Sequence, residues 1–127
     1  MQNVHIPSHY QQIMPYLIVK DAEGFISFLQ TVFDGELKEK HMRDEHVIMH
    51  AEVAIGSSTI MIAENTTNYP SQPAGMFIFV DDADTRYEKA LNAGATVVTP
   101  MSNQPYGRSG GVKDVYGNTW WVTSVKL

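Results

Sequence analysis

Cysteine is absent from the 127 residues. That removes disulfides, thiolate zinc sites, iron–sulfur clusters and cysteine nucleophiles together, and it permits a reducing, intracellular setting. Basic residues are scarce as well: nine Lys and Arg stand against fourteen Asp and Glu, a formal net charge of −5. A chain so balanced, with no Lys/Arg run, lacks the basic face that nucleic acid or an anionic membrane requires. No apolar run approaches the roughly 18 residues of a membrane span. Residues 1–10 carry His, Pro, Ser and Asn and no apolar stretch of the kind a signal peptide needs. The expectation is a cytoplasmic chain forming one domain over residues 1–127, with 43% hydrophobic residues to build its core.

What is present is written twice. Met14-Pro15-Tyr16-Leu17-Ile18-Val19 reads as a strand, followed by Asp21-Ala22, an amphipathic stretch and Gly35. Met76-Phe77-Ile78-Phe79-Val80 reads the same, followed by Asp82-Ala83, a second amphipathic stretch and Gly94. Gly56-Ser57 and Gly117-Asn118 each precede an apolar strand, and 82 − 21 and 117 − 56 are both 61. Two matches in register, in the same order, argue for a repeated module.

Local chemistry supports the helices. Asp21 and Asp82 occupy N-cap positions. Phe25, Phe28, Leu29 and Val32 follow the spacing of one buried helical face, as do Ala83, Tyr87, Ala90 and Leu91. The spacing predicts helices near 22–33 and 83–93, the second ending at Gly94 in a left-handed C′ position. Gly24 inside the first weakens it by roughly 1 kcal/mol relative to Ala. Residues 46–55 alternate as a strand does, and Gly56-Ser57 turns that strand into a hairpin with 58–63. Loops are expected at 65–75 and 100–110. Each half is then strand–helix–strand–strand–strand, over about 10–66 and 74–127. The fold class is α+β, two βαβββ modules forming a cupped mixed sheet. A module this small leaves one sheet face open, so two modules are expected to pair.

Three stretches carry a resemblance: Met14 to Asp21; Met49-His50-Ala51-Glu52-Val53 with Gly56 and Ile60-Met61-Ile62; and Tyr106-Gly107-Arg108-Ser109-Gly110-Gly111-Val112-Lys113-Asp114 through Gly117 and Trp120-Trp121-Val122. Together they resemble the vicinal oxygen chelate superfamily of glyoxalases, bleomycin-resistance proteins and extradiol dioxygenases, in its PhnB-like branch. The resemblance spans about residues 14–125. Val115 stands where that branch usually has Pro, and Asn118 where His is common; both fall in a hairpin turn. Enzymes of the superfamily hold a divalent metal on the first and fourth strands of each module. The resemblance carries those positions onto Met14, Ile60, Gly75 and Trp121, none of which offers a hard oxygen or imidazole donor. It therefore implies no metal cofactor at the usual centre, and it implies a homodimer.

Other candidate residues each have a plainer role beside the functional one. His46, His50 and Glu52 share strand parity, but His46 and His50 stand roughly 13 Å apart and cannot share an ion. His50 and Glu52 remain a fallback metal pair if a third ligand joins them; a His–Glu hydrogen bond on a solvated strand is the competing role. The turn parity sets His50 opposite Ile60 and hence away from the cup, unless a bulge reverses the strand; the face that His50 and Glu52 occupy stays open. Gly107-Arg108-Ser109-Gly110-Gly111 matches a nucleophile elbow, but a strand follows it and every histidine precedes it, so the match is accidental. Its glycines suit either a loop closing over a pocket or a plain turn. Arg108 either grips a ligand carboxylate or phosphate or is a solvated loop residue. Tyr16, Phe77, Phe79 and Trp121 would line an aromatic cup suited to a planar ligand, with Tyr106 adding a hydroxyl, or would simply fill the core. Trp120 faces the other way, toward a helix.

Three functions compete on this reading. One is a metal-free protein binding an apolar or planar small molecule in the aromatic cup. Another is a glyoxalase- or isomerase-type metal enzyme with its site displaced to His50 and Glu52. The last is an interaction module with a filled cup.

Overall fold

The structure, a computed structural model, describes residues 1–125. Its elements run β1 (Tyr16–Val19), α1 (Ala22–Phe33), β2 (Glu36–Met42), β3 (Ile48–Ile55) and β4 (Ser58–Glu64), then β5 (Gly75–Phe79), α2 (Ala83–Asn92), β6 (Thr96–Gln104), β7 (Gly107–Lys113) and β8 (Thr119–Ser124). The order βαβββ therefore occurs twice, as the repeat implies. Each half is a four-stranded mixed sheet, β1-β4-β3-β2 in module 1 and β5-β8-β7-β6 in module 2.

Both helices start where the sequence places them. Asp21 accepts from the Gly24 amide at 3.0 Å, and Asp82 from the Thr85 amide at 3.3 Å. Glu64, at the end of β4, adds a second cap by accepting from the amides of Asp21 and Ala22. Gly24 has a local reason: a Cβ there would stand 2.7 Å from the Tyr116 hydroxyl, which packs against this turn.

The modules meet through their helices. Phe33 and Phe28 of α1 reach Trp120 of β8, with ring centroids 4.8 and 6.4 Å away, and Tyr116 lies edge-on to Phe25. Trp120 is core against a helix, as expected, and its indole N–H donates to the buried Asp114 at 2.8 Å. Asp114 also accepts from the amides of Tyr116 and Asn118, which knots the β7–β8 turn. Burial raises the Asp114 carboxyl above its usual range, against those hydrogen bonds. Arg86 ties the modules at their rim: it donates to the Val32 carbonyl at the end of α1 and pairs with Asp34 and Asp81.

Several expectations need correction. Residues 100–110 are not a loop: β6 and β7 run through them, and only Pro105 and Tyr106 turn between Gln104 and Gly107. Gly110 and Gly111 are strand residues, neither loop hinge nor turn. A Cβ on Gly111 would come within 2.6 Å of the Trp121 ring, and one on Gly110 would meet Met101. Those glycines let bulky side chains lie flat on the sheet.

The cup assignment in module 1 is reversed. Ile55 pairs with Ser58, so Gly56-Ser57 is the two-residue turn expected, and His50 and Ile60 do lie on opposite faces. But Ile60 is the buried one, packed toward α1 with Leu17, Val19, Val53 and Ile62. The position beside Tyr16 on the open face is Met61, its register partner. Phe77 pairs with Trp121 in module 2. Hence the repeat offset is 61 at Tyr16/Phe77 but 60 at Met61/Trp121, and a slip of one residue exchanges the faces.

Candidate functional site

Two open faces

Each sheet turns one face to the helices and leaves the other uncovered. In module 2 the uncovered face carries Phe77, Phe79, Trp121, Thr123 and Ser109, placed there by the β5–β8–β7 register. Phe77 lies 5.4 Å from Phe79 and 6.0 Å from Tyr106, centroid to centroid. Phe77, Phe79 and Tyr106 are 49%, 66% and 54% exposed. Trp121, over Gly111, is half-buried. Ser109 and Thr123 share a hydrogen bond of 2.8 Å beneath these rings. A cleft of about 680 Å³ adjoins this face, with Phe33 and Trp120 at its floor and Phe77 and Phe79 at its rim.

Arg108 is not among these side chains. It alternates onto the helix side of β7 and pairs with Asp84 of α2 at 3.1 Å through both Nε and Nη2. Each partner stabilises the other's charge: Asp84 is held below the usual carboxylate range chiefly by the Arg108 hydrogen bond.

The uncovered face of module 1 is polar. Tyr16, Met61, Glu52 and Glu39 form one cross-strand row, with His50 and His41 paired in the next. A bulge at Met49 turns Ile48 toward the core and leaves His50 on the open side, beside Tyr16. The Tyr16 and His50 ring centroids are 5.9 Å apart, and those of His41 and His50 are 6.3 Å apart. His50 therefore faces the Tyr16 side, because the open face carries Met61 and the buried one Ile60. His46 lies outside the strand, in the exposed β2–β3 connection.

Glu52 is the unusual group, only 4% exposed on a face without a helix. The N-terminal segment covers it. Tyr10 donates its hydroxyl to the Glu52 carboxylate at 2.6 Å, and Gln11 exchanges two hydrogen bonds with the backbone of Thr59. The Thr59 hydroxyl donates to the His9 carbonyl, fixing the segment in place. His50 Nε2 approaches Glu52 at 2.8 Å from the other side. Burial alone would raise the Glu52 carboxyl, but its bonds from Tyr10 and His50 outweigh that and hold it below the usual glutamate value. Tyr10 in turn is pushed up to about 12, chiefly by its bond to Glu52.

Among the described residues, no three His, Asp or Glu side chains converge as a metal-ligand set. The His50 and Glu52 atoms nearest each other are spent on their mutual bond. Sequence reasoning missed Tyr10 and Met61. No pattern marks Tyr10, because the segment that carries it has no regular structure and is placed by tertiary contacts alone.

The comparisons with known proteins agree with this architecture. Residues 7–122 match the family model of the glyoxalase/bleomycin resistance protein/dioxygenase superfamily. An uncharacterized protein of Mycobacterium tuberculosis is 31% identical over 120 residues, covering 85% of this chain and 71% of that one. Among solved structures, a PhnB protein from Bacillus cereus, described as a putative 3-demethylubiquinone-9 3-methyltransferase, superposes with a TM-score of 0.72 at 20% identity, over 91% of this chain and all of that one. An antibiotic-binding protein from Streptomyces superposes with a TM-score of 0.66 at 18% identity, over 92% of this chain and all of that one. At such identities the structures speak for the fold, while the family model covers nearly the whole chain. This chain belongs to the glyoxalase/bleomycin resistance protein/dioxygenase superfamily.

Proposed function

We propose that the chain binds an apolar or planar small molecule, without a metal, in a cup closed between two copies of itself. The observation that carries this reading is the uncovered aromatic surface of module 2. Phe77, Phe79 and Tyr106 are about half exposed or more and lie within stacking distance of one another. A structural module with a filled cup would bury such rings, since a large exposed aromatic patch marks a binding surface. Within one chain the two uncovered faces are turned away from the shared core. A second copy that sets its Tyr16 face against this Phe77 face would enclose a ligand and remove both from water. The antibiotic-binding structural relative from Streptomyces supports the same use of the fold. Stacking adds roughly 0.5–1.5 kcal/mol per aromatic pair beyond area burial. The site residues are Tyr16, Phe77, Phe79, Tyr106 and Trp121; Arg108 is left out because Asp84 holds it on the helix side. We place the protein in the cytoplasm, since none of its chemistry needs an oxidising compartment.

The test joins light scattering with a fluorescence titration. Acridine, a planar tricyclic probe, should quench Trp121 saturably in a dimeric sample, with or without EDTA. Trp121→Leu should remove the signal and Phe77→Ser should weaken binding. A monomer at micromolar concentration, quenching without saturation, or binding abolished by EDTA would each overturn the reading.

A further inference from the structure

We infer that the cup selects a ligand bearing an acidic hydroxyl, a phenol or enol on its planar skeleton, and that His50 receives the proton of that hydroxyl. The inference rests on the small-molecule reading above and adds what the polar face contributes to it. Glu52 is a carboxylate, which only accepts hydrogen bonds when ionised. Tyr10 donates to it from one side at 2.6 Å, and His50 Nε2 lies at 2.8 Å on the other. A carboxylate in that position requires Nε2 to carry the imidazole proton. The neutral ring then has a bare lone pair at Nδ1, which has no protein partner among the described residues. A ring held in one tautomer by a carboxylate behind it is a prepared proton acceptor.

Access is arranged accordingly. The Glu52 side chain is 5% exposed, whereas the His50 side chain is 24% exposed. The ring stands between those of Tyr16 and His41, on the side where a stacked ligand would lie. The titratable groups facing it are Glu52 on its own strand, Tyr10 from the N-terminal segment, Tyr16 from β1, and His41 and Glu39 from β2; β4 contributes only Met61 and Thr59. The step balances simply. The ligand O–H bond breaks and an N–H bond forms at Nδ1. The resulting imidazolium lies between the Glu52 carboxylate and the new ligand oxyanion, and no oxidant or second reactant is needed.

The test uses 4-nitro-1-naphthol, whose anion absorbs at longer wavelength than the neutral form, and its methyl ether as the matched compound without a proton. Both are titrated into the full-length protein at a pH below the naphthol's own ionisation. The naphthol should bind as the coloured anion, and about tenfold or more tighter than the ether, the scale of a charge-assisted hydrogen bond. His50→Phe should keep ether binding while losing both the colour and the preference. Glu52→Gln, which keeps the volume of the buried side chain, should weaken the colour in the same direction. Equal binding of the two compounds, or the naphthol bound uncoloured, overturns the inference and leaves the small-molecule reading standing. Colour kept in His50→Phe but lost in Tyr106→Phe moves the proton site to module 2 and also overturns it. If neither compound binds, the cup reading falls and the inference falls with it.

Discussion

The two uncovered faces occupy equivalent places in the repeat and have opposite chemistry. In module 1 the row across the sheet is Tyr16, Met61, Glu52, Glu39; in module 2 it is Phe77, Trp121, Gly111, Thr99. Where one module sets a buried carboxylate under the N-terminal segment, the other has a glycine under an indole. The first face is built around a titratable triad, the second around rings and one hydroxyl pair. The inner faces, by contrast, are alike, both being aliphatic and aromatic core. The helix-facing side is constrained by packing in both modules, whereas each open side is free to specialise.

The adjacent tryptophans give the largest test of that contrast. Trp120 is 1% exposed and bonded to Asp114, and Trp121 lies on the open side. Trp120→Ala should lose about 3–5 kcal/mol of stability in urea denaturation, the usual range for a truncated core aromatic. Trp121→Ala should lose no more than about 1 kcal/mol while abolishing acridine binding. Similar losses for the two would mean that the open face is core after all.

Next in size is Gly111→Ala. The added methyl meets the Trp121 ring, so the ring must lift from the sheet. A stability loss of about 1–3 kcal/mol is expected, as for overpacking elsewhere. The near-ultraviolet circular dichroism of Trp121 should change with it. Thr99, opposite in the same row, should tolerate Thr99→Ser with no such spectral change.

How much of this was legible beforehand differs between the faces. The helices, their Asp caps and the doubled βαβββ order follow from side-chain period and capping chemistry, which are local. Trp120 and Trp121 fall on the two faces that their parity implies, because β8 alternates regularly. Module 1 failed at Ile60, for a physical reason. Aligning Gly56 with Gly117 treats their turns as equal, yet Ile55 pairs with Ser58 across two residues whereas Lys113 pairs with Thr119 across five. The turn lengths differ, the register slips by one, and the metal position passes to Met61. A thioether in place of an alkyl group still offers no hard donor. Tyr10 was beyond reach, since only the folded chain brings it to Glu52, 42 positions away. The Pro100–Gly110 stretch misled through its Gly and Pro content, because Gly107 and Gly110 are strand residues whose missing side chains make room for the Ser124 backbone and for Met101.

The triad makes module 1 the pH-sensitive half. Glu52 has a lowered folded pKa, so its contribution to stability is present above the ordinary glutamate value of about 4.5 and is lost as pH falls through the lower folded value. Tyr10 has a raised one, so its contribution is present below the ordinary value of 10.0 and is lost as pH rises through about 12. Tyr10→Phe should therefore flatten the alkaline limb of the stability profile and reduce the acid one. Phe79→Leu in module 2 should leave the shape of both limbs unchanged. Urea midpoints measured across pH decide it. An alkaline limb unchanged in Tyr10→Phe would detach the N-terminal segment from Glu52 in solution.

The smallest expected effect belongs to Arg108, and its smallness sharpens the comparison. A lone cation beside a glycine-rich stretch invites assignment to an anionic ligand. Instead Tyr106, in the turn before β7, lies on the side of Phe77, while Arg108, inside β7, points to α2. The Arg108–Asp84 pair is exposed on both sides, with side chains 37% and 54% accessible. Water screens such a pair, so Arg108→Ala should change stability by less than about 1 kcal/mol. Because Asp84 already satisfies the guanidinium on the far side of the sheet, acridine and nitronaphthol affinities should both stay within about twofold of the parent, or roughly 0.4 kcal/mol. Tyr106→Ala, two residues earlier, should weaken acridine binding, since its ring stacks with Phe77 on the open face. A larger loss from Arg108→Ala than from Tyr106→Ala would mean that β7 presents the opposite set of side chains to the ligand, and the assignment of the two faces would have to be exchanged.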